Sequence, residues 1–387
     1  MACLHARLRR GHDVADLVVR IGLVSPYALS AVGGVQGQVA GLALALCDRG
    51  HEVVVAAPSA TGHVADHLKA HGVSVVNGGG TFSIPANGSI APISLNPFAA
   101  LRVRRAFVAA KCEVIHCHEP LAPLLSYAVV LLPPTPLVAT YHRAGGGALM
   151  RLLWPIRPLF GRRFERSFAV SNAAKGFAKF VTTAEPTVVF NGMDLRALDL
   201  ATPVEIDGPS IFFLGRHEER KGLSDLLHAH EQLEGVTLVI GGLGPQSEAL
   251  MARFPESPTR KWLGRISDDD KYAYLRSATI TCAPSLGGES FGVIVLEALA
   301  ASSIAVISSL DGYREAAAGH ALEFPPGEVD ALRDTLREAL RCAATGEGVG
   351  SASAKAAARD HGVHWSMAAL AEIYEHSYAE VIEKRTR

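Results

Sequence analysis

The chain has 387 residues, of which 49% are hydrophobic and 19% charged, so it can fill the cores of two domains and is not an intrinsically disordered protein. Its formal net charge of −1 hides an asymmetry, because residues 1–190 carry 18 Lys and Arg against 9 Asp and Glu, whereas the rest carries 19 against 29. A basic half joined to an acidic half favours one domain that meets an anionic surface, with chance placement as the alternative.

The cysteines and the apolar runs indicate the compartment. Six cysteines are scattered without a C-x-x-C pair, and the Arg-rich first ten residues lack the apolar core of a secretory signal. This combination is typical of reduced thiols in a cytosolic protein. The longest mostly apolar run, 121–132, stops at two prolines and is too short to span a bilayer. The sequence therefore predicts a soluble or peripheral protein.

The first strand is predicted at 18–25, and the glycine pair Gly33 and Gly34 opens a helix that runs to Asp48. A glycine pair at this place lets a phosphate approach the helix N-terminus, although an ordinary tight turn would look the same. The dinucleotide motif G-x-G-x-x-G is absent, and no acid follows the second strand, 51–57, at the expected distance. Strand and helix patterns then alternate, which predicts a doubly wound parallel sheet.

A helix is predicted from Pro97 to Val108, because proline suits a first helical turn. It mixes apolar side chains with Arg102, Arg104 and Arg105. Such a helix can lie on an anionic membrane, each basic residue adding about 1 kcal/mol. An ordinary surface helix with three arginines is the alternative.

The strand predicted at 113–118 ends in alternating histidines. His116 and His118 should share one face of the sheet, and Cys117 should lie on the other. A metal site is disfavoured, because no further cluster of ligands appears in the sequence. Histidines whose hydrogen bonds are satisfied within the core are the other interpretation.

In the second half, a strand at 210–214 is followed by Gly215, Arg216 and Lys221. Open α/β sheets bind ligands at the carboxyl ends of their strands, and Arg and Lys suit a diphosphate. A solvated charged loop is the alternative. The P-loop motif G-x-x-x-x-G-K-S/T is absent, which disfavours a P-loop ATPase.

The most informative stretch follows the strand at 278–283, where two glycines precede Glu289 and a helix that contains Glu297. Eight helical steps make roughly 800°, about 80° from whole turns, so both carboxylates can serve one elongated ligand. The free N–H groups that open the helix can bind an anion. An anionic middle with hydroxyl-bearing ends is the shape of a sugar nucleotide. A Gly-rich turn with solvated glutamates remains the alternative.

This stretch, Gly-Gly-Glu-Ser-Phe-Gly followed by the second glutamate, resembles the E-x7-E signature of retaining glycosyltransferases with the GT-B fold. It is most similar to the phosphatidylinositol mannosyltransferases of actinobacteria. Four further motifs agree in order: Pro-Tyr, Gly-Gly-Val-Gln, His-x-His-Glu-Pro and Gly-Arg with Lys-Gly. The resemblance covers roughly 18–385, and because the family begins near this first strand, we expect translation to start at Val18 or Val19.

The resemblance implies an α/β, GT-B fold with two Rossmann-like domains whose parallel sheets face each other across a cleft. Residues 18–194 would form an acceptor- and membrane-binding domain onto which the helix 367–385 packs back. Residues 195–366 would form the nucleotide-sugar-binding domain. The implied reaction transfers mannose from GDP-mannose to phosphatidyl-myo-inositol, with retention, by a peripheral protein on the inner face of the plasma membrane.

The resemblance also assigns roles to residues. Four would act in catalysis: His118, Glu289, Arg216 and Lys221. The donor would be bound by Gly34, Arg216, Lys221, Gly288, Ser290, Phe291, Gly292 and Glu297. The acceptor and the membrane would be bound by Tyr27, Gln36, Asn87, Ser89, Arg102, Arg104 and Arg105. We expect no tightly bound cofactor, no nucleic-acid partner and a monomer, and leave a requirement for a divalent metal open.

The chain departs from the family near the acceptor. Ala86 replaces an aromatic residue, Pro92 replaces an arginine, and Arg143 with a Gly-rich loop replaces Thr and Ser. A retaining GT-B enzyme with another nucleotide sugar or a soluble acceptor therefore remains an alternative. A nicotinamide-dependent oxidoreductase is disfavoured by the missing dinucleotide motif, and a catalytically silent ligand-binding protein is the third hypothesis.

Overall fold

A computed structural model describes residues 18–30, 33–86, 89–93, 97–120, 135–143, 161–179, 182 and 185–386, with side chains outside 82–97 and 386. The chain divides into two compact units. The first unit comprises Met1–Gly192 and Met367–Arg387, and the second comprises Met193–Ser366. Within the described ranges, no helix is long and apolar enough to cross a membrane.

The described strands of the first unit are β1 Arg20–Val24, β2 Glu52–Ala57, β3 Ser74–Asn77, β4 Phe82–Ala86, β5 Ser89–Ile93, β6 Val114–His118, β7 Leu137–Tyr141, β8 Arg166–Ala169 and β9 Thr187–Val188. Its helices include α1 Gly34–Asp48, α2 His63–Ala70, α3 Pro97–Ala109 and α4 Asn172–Ala178. Seven strands form a parallel sheet in the order β3-β2-β1-β6-β7-β8-β9, and β4 pairs with β5 as an antiparallel hairpin. The predicted doubly wound sheet is confirmed, and its order reverses between β1 and β6, where such sheets bind ligands.

Both faces of this sheet are covered, which explains why its central strands are continuous apolar runs. Gly22 of β1 leaves room for the ring of Phe107 from α3, since a Cβ there would come within 2.9 Å of that ring. On the other face lie α1 and the C-terminal helix Met367–Thr386, which contributes Tyr374 and Tyr378 to the core.

The second unit begins with α5 Leu195–Leu200 and continues with β10 Ser210–Leu214, α6 Leu223–His230, β11 Thr237–Gly241, α7 Ser247–Arg253, β12 Arg260–Gly264, α8 Asp268–Ser277, β13 Ile280–Ala283, α9 Val293–Ala300, β14 Ile304–Ser308, α10 Asp311–Ala317, β15 Leu322–Phe324, α11 Val329–Thr345 and α12 Ala352–His364. The C-terminal helix of the first unit is α13. The strands form a parallel sheet in the order β12-β11-β10-β13-β14-β15. Its order reverses between β10 and β13, so the loops after these two strands lie where a ligand is expected.

Candidate active site

In the first unit, the loops after β1, β6 and β7 carry the candidate residues. His116 and His118 share a face of β6, with ring centroids 4.4 Å apart, while Cys117 belongs to the core on the opposite face. Both ring nitrogens of His116 are engaged, by Tyr378 Oη and Thr140 Oγ1, each at 2.7 Å. The alternation expected along the strand is therefore confirmed, and His116 is a histidine satisfied within the core.

His118 differs from His116, because only one of its nitrogens is engaged. Its Nδ1 lies 2.9 Å from Nε2 of His142, and its Nε2 is buried without a hydrogen-bond partner among the described residues. Burial, together with the nearby His116 and His142, holds the pKa of His118 well below its usual range. His118 is therefore neutral at pH 7 and leaves one nitrogen for a ligand.

Glu119 fixes the loop that follows these histidines. It has a positive φ of 47°, which is uncommon outside glycine, and its Oε1 accepts hydrogen bonds from the backbone N–H groups of His142 and Arg143. Burial raises the pKa of Glu119 to about 7, against the opposing effect of those N–H groups. The ends of β6 and β7 are thus tied together beside His118.

The loop after β1 contains three predicted residues. The pKa of Tyr27 is raised by burial and by the nearby carboxylate of Glu119. Gln36 is buried and donates through Nε2 to the carbonyl oxygen of Ala28 at 3.4 Å, so it braces this loop. Gly34 opens α1 with no atom within 4 Å of a Cβ placed on it. Among the described residues, no neighbour therefore requires glycine at this position, and the space that they leave can admit a ligand.

The remaining first-unit candidates lie apart from the histidines in sequence. Asn87 and the side chain of Ser89 lie outside the described residues. Arg102, Arg104 and Arg105 are exposed on α3. Their role remains a prediction.

In the second unit, the loops after β10 and β13 meet at Glu289. Its Oε1 is 2.6 Å from Lys221 Nζ, 3.0 Å from Arg220 Nη1 and 3.3 Å from Ser285 Oγ. Its Oε2 has no hydrogen-bond partner in the described part of the chain. One oxygen thus fixes the carboxylate, and the other is available to accept from a ligand.

Glu297 is held in the same way. Its side chain is buried, and its Oε1 lies 2.8 Å from Lys271 Nζ and 3.4 Å from Tyr272 Oη. Burial is the largest single effect and lowers the pKa of Lys271, but the combined effects of Glu297, Tyr272 and Asp268 are larger and raise the pKa of that lysine. Since the contacts of Glu297 with the described residues all reach Oε1, this glutamate also keeps a second oxygen for a hydroxyl.

The loop between the two glutamates is shaped by glycine. Gly288 and Gly292 have φ of 74° and 103°, and a Cβ on Gly292 would collide with the ring of Tyr313 beneath it. Tyr313 is buried and its Oη lies 2.8 Å from Ser285 Oγ, which supports Glu289 from below. Gly292 precedes α9 and, as glycine, offers no side chain that could cap the first N–H groups of this helix. These groups can bind an anion.

The other predicted donor residues are arranged around this loop. Arg216 is exposed, with Nε 3.6 Å from Glu218 Oε2. Ser290 is half-buried, whereas Phe291 is only 2% exposed. The buried ring of Phe291 leaves only its backbone for a ligand.

Sequence reasoning missed the residues that orient the predicted ones. They are His142, Glu119, Arg220, Lys271, Ser285 and Tyr313. Two of them carried a signal, because Arg220 precedes Lys221 in the basic cluster and Glu119 belongs to the His-x-His-Glu-Pro motif. Within the described ranges, no group of three His, Cys, Asp or Glu side chains is arranged to hold a metal ion.

Two family descriptions match successive parts of the chain. Residues 32–197 match Glycosyltransferase Family 4, and residues 208–342 match Glycosyl transferases group 1. The phosphatidyl-myo-inositol mannosyltransferase of Mycobacterium leprae is 33% identical over 92% of this chain and 96% of its own length. The protein of the same name from Propionibacterium freudenreichii is 31% identical over 76% of this chain and 78% of its own.

Solved structures agree on the fold. A glycosyltransferase from Rickettsia africae has a TM-score of 0.73 at 18% identity and covers 94% of this chain and 99% of its own. The sucrose-phosphate synthase of Thermosynechococcus elongatus has a TM-score of 0.73 at 18% identity and covers 95% of this chain and 100% of its own. The predicted GT-B fold is confirmed. The chain is a glycosyltransferase and belongs, as its motifs predicted, to the phosphatidyl-myo-inositol mannosyltransferase family.

Proposed function

We propose that the protein transfers mannose from GDP-mannose to phosphatidyl-myo-inositol, with retention at the anomeric carbon, on the inner face of the plasma membrane. The observation that carries the proposal is the 31–33% identity to several mannosyltransferases of that name, over most of the chain. The product would enter phosphatidylinositol mannoside biosynthesis for the cell envelope. The protein acts as a monomer, without a nucleic-acid partner or a tightly bound cofactor.

In the second unit, the donor is bound at the loops after β10 and β13. Arg216, Lys221 and the N–H groups that open α9 bind the pyrophosphate and stabilise the charge that gathers on the leaving GDP. Glu289 accepts hydrogen bonds from mannose hydroxyls through its unengaged oxygen. Glu297 does the same for the ribose. Because Lys221 contacts Glu289 at 2.6 Å, a diphosphate that binds this lysine competes with the carboxylate for it.

In the first unit, His118 orients the transferred sugar. Its low pKa makes it a poor proton acceptor at pH 7, so it is a hydrogen-bonding group and not a general base. Glu289, with three donors on one oxygen, is a weak candidate for a nucleophile. These features support same-face attack, in which the donor phosphate takes the proton of the acceptor hydroxyl.

The exposed face of α3 supports membrane binding. Phe98, Leu101 and Val108 are 76%, 46% and 53% exposed, and helical geometry places them on the side that also carries Arg105. The face opposite packs into the core through residues such as Val103. An apolar strip among arginines suits the boundary between lipid headgroups and acyl chains.

An alternative proposal keeps the fold and the donor site but changes the sugar or uses a soluble acceptor. It is favoured by Ala86, Pro92 and the Gly-rich sequence that follows Arg143, where the chain departs from the family on the acceptor side. A glycogen synthase from Mycobacterium tuberculosis is also 26% identical over 83% of this chain.

The first experiment mixes purified protein with radiolabelled GDP-mannose and liposomes, with or without phosphatidylinositol. Label that enters lipid only when phosphatidylinositol is present supports donor, acceptor and membrane together. Release of GDP without labelled lipid supports the alternative and directs attention to soluble acceptors. A parallel assay with a metal chelator tests whether a divalent cation is required.

The membrane surface is tested by replacing Arg102, Arg104 and Arg105 with Gln. None of the three has an acidic partner among the described side chains, so the loss of charge should weaken binding to anionic liposomes with little effect on stability. The matched control replaces Arg333, Arg337 and Arg341 of α11, which pair with neighbouring acids. We expect at least a tenfold loss of cosedimentation for the α3 variant only. Equal losses for both variants would contradict the assignment of α3.

A further inference from the structure

Arg143 lies two residues beyond the end of β7, at the edge of the sheet that carries the candidate residues of the first unit. Strands β1, β6 and β7 are neighbours, so their carboxyl ends bring Tyr27, Glu119 and Arg143 to this one edge. The backbone N–H of Arg143 donates to Glu119 Oε1 at 2.6 Å, which fixes the point from which its side chain starts. Because Arg143 is also a position where the sequence departs from the family, the resemblance assigns it no role.

The guanidinium of Arg143 has no hydrogen-bond partner among the described residues, although its Nε atom is buried. None of their carboxylates forms an ion pair with it either. A guanidinium carries five N–H donors and stays charged, and a buried donor of this kind is costly without an acceptor. The side chain is only half-buried, so part of it remains accessible to a ligand that brings the missing acceptors.

The described groups around Arg143 do not neutralise its charge. Glu119 accepts from two backbone N–H groups, and burial raises its pKa to about 7, so it is only partly ionised at pH 7. His118 and His142 are neutral, because burial lowers the pKa of both rings. Tyr27 is neutral as well, because burial raises its pKa. This edge therefore carries a positive charge that is only partly offset, which favours an anionic ligand.

We propose that Arg143 binds the phosphate group of the acceptor through parallel N–H groups of its planar fork, and so selects phosphate esters over neutral acceptors. A guanidinium fits two phosphate oxygens at once, which neither an ammonium nor an amide reproduces. The inference rests on the proposed function for the presence of an acceptor at this edge of the sheet. It adds the chemical class of that acceptor, which applies to a lipid headgroup and to a soluble phosphate ester alike.

Acceptor binding is measured without sugar transfer by 15N NMR of the arginine Nε–H signals, with GDP present to occupy the donor site. The Arg143 signal is assigned from an Arg143→Gln variant. We expect glycerophospho-myo-inositol, the soluble phosphodiester headgroup, to shift this signal at a concentration at which myo-inositol does not. The exposed Arg162 of the same unit is the matched control, and its signal should stay in place.

The source of the phosphate is distinguished by a further arm with phosphatidylinositol in nonionic micelles. A shift with the headgroup supports a site that accepts soluble phosphate esters, and a shift with the micelles alone supports a site for the lipid. A shift caused equally by myo-inositol, or no shift with either phosphodiester, would overturn the proposal.

Kinetics separate the acceptor from the donor. In nonionic micelles, which remove the general attraction of an anionic membrane, Arg143→Gln should raise the KM for phosphatidylinositol roughly 10- to 100-fold, as expected for a lost charged hydrogen bond. Arg143→Lys should recover only part of this loss, and Arg162→Gln should leave the KM unchanged. The backbone N–H that donates to Glu119 persists in the Arg143 variants, so their affinity for GDP should equal that of the unmodified protein.

An unchanged KM for the acceptor in Arg143→Gln, or an equal loss of GDP affinity, would overturn the proposal. If the headgroup shifts the Arg143 signal but GDP-mannose is not turned over, the proposed function fails and the phosphate site stands.

Discussion

Glu289 contacts three hydrogen-bond donors through one oxygen. Because its other oxygen would accept from the sugar, we expect a change at Glu289 to affect sugar transfer and nucleotide binding differently. In Glu289→Gln the side chain keeps its shape, but Lys221 loses the carboxylate that it contacts, whereas Arg220 keeps its ion pair with Glu218. We expect turnover to fall by roughly 100-fold or more, because a charged acceptor for the sugar hydroxyl is lost. The affinity for GDP, measured by calorimetry, should stay the same or rise, because Lys221 is freed for the diphosphate. A parallel loss of GDP affinity would contradict these separate roles.

Lys271 and Glu297 form a largely buried ion pair, and its contribution to stability can be measured separately from its contribution to ligand binding. Lys271→Met should destabilise the second unit by about 3 kcal/mol, because it leaves a buried carboxylate unpaired. The double variant Lys271→Met with Glu297→Leu should recover most of that stability, yet fail to bind the donor ribose. Denaturant unfolding and GDP titration of both variants make the measurement. If the double variant bound GDP normally, Glu297 would have no role in binding.

At the scale of elements, the sequence predicts what depends on local pattern. The apolar runs predicted the parallel strands, and the alternation in β6 placed His116 and His118 on one face. Partners across the sheet were not predicted, because they depend on the register of strands far apart in sequence. His118 pairs with Thr140 in the ladder, which places His142 two residues on, beyond the end of β7. Neither spacing nor composition gives that register before the chain is folded.

Acid should destabilise β6 and its neighbours. Burial lowers the pKa of His116 to about 3 and that of His142 to about 4, so the native state binds fewer protons than the unfolded state below about pH 6.5. The stability that these rings confer is complete above that pH and is lost as pH falls toward 4. Glu119, with its pKa raised to about 7, acts in the opposite direction, because its contribution is lost as pH rises from 4.5 to 7. Two histidines oppose one glutamate, so the net free energy of unfolding should fall on acidification. The slope is about 1.4 kcal/mol per pH unit for each histidine that is not offset by Glu119.

The effect of Glu119 on the pH dependence of stability can be tested by a substitution. In Glu119→Gln the opposing group is gone, so the loss of stability between pH 6.5 and 5 should be steeper than in the unmodified protein. Hydrogen exchange at the amides of β6, expressed as an opening free energy, measures this at several pH values. An unchanged slope would mean that Glu119 does not titrate in this range.

At the scale of the whole molecule, the first unit is built from two stretches that are separated in sequence by the second unit. The first unit is completed only by α13, which the chain reaches after the second unit has ended at Ser366. Gly41 of α1 allows the start of α13 to pack closely on α1, because a Cβ on this residue would come within 2.7 Å of the side chain of Met367. The last helix is therefore as much a part of the first core as the strands at its start.

Removal of residues 367–387 should consequently unfold the first unit, although the rest of that unit lies before residue 193 in the sequence. The deletion takes Leu370, Tyr374, Tyr378 and Val381 from the core, and each large side chain lost costs about 3 kcal/mol or more. The sum, about 12 kcal/mol or more, is comparable to the whole 5–15 kcal/mol that stabilises an ordinary domain, so the first unit should not fold. The second unit contains none of these residues and should keep its own melting transition in calorimetry and its affinity for GDP. The matched control removes only 383–387, beyond the last core side chain, and should preserve both transitions. Loss of the second transition in the longer deletion would show that the second unit does not fold independently of the first.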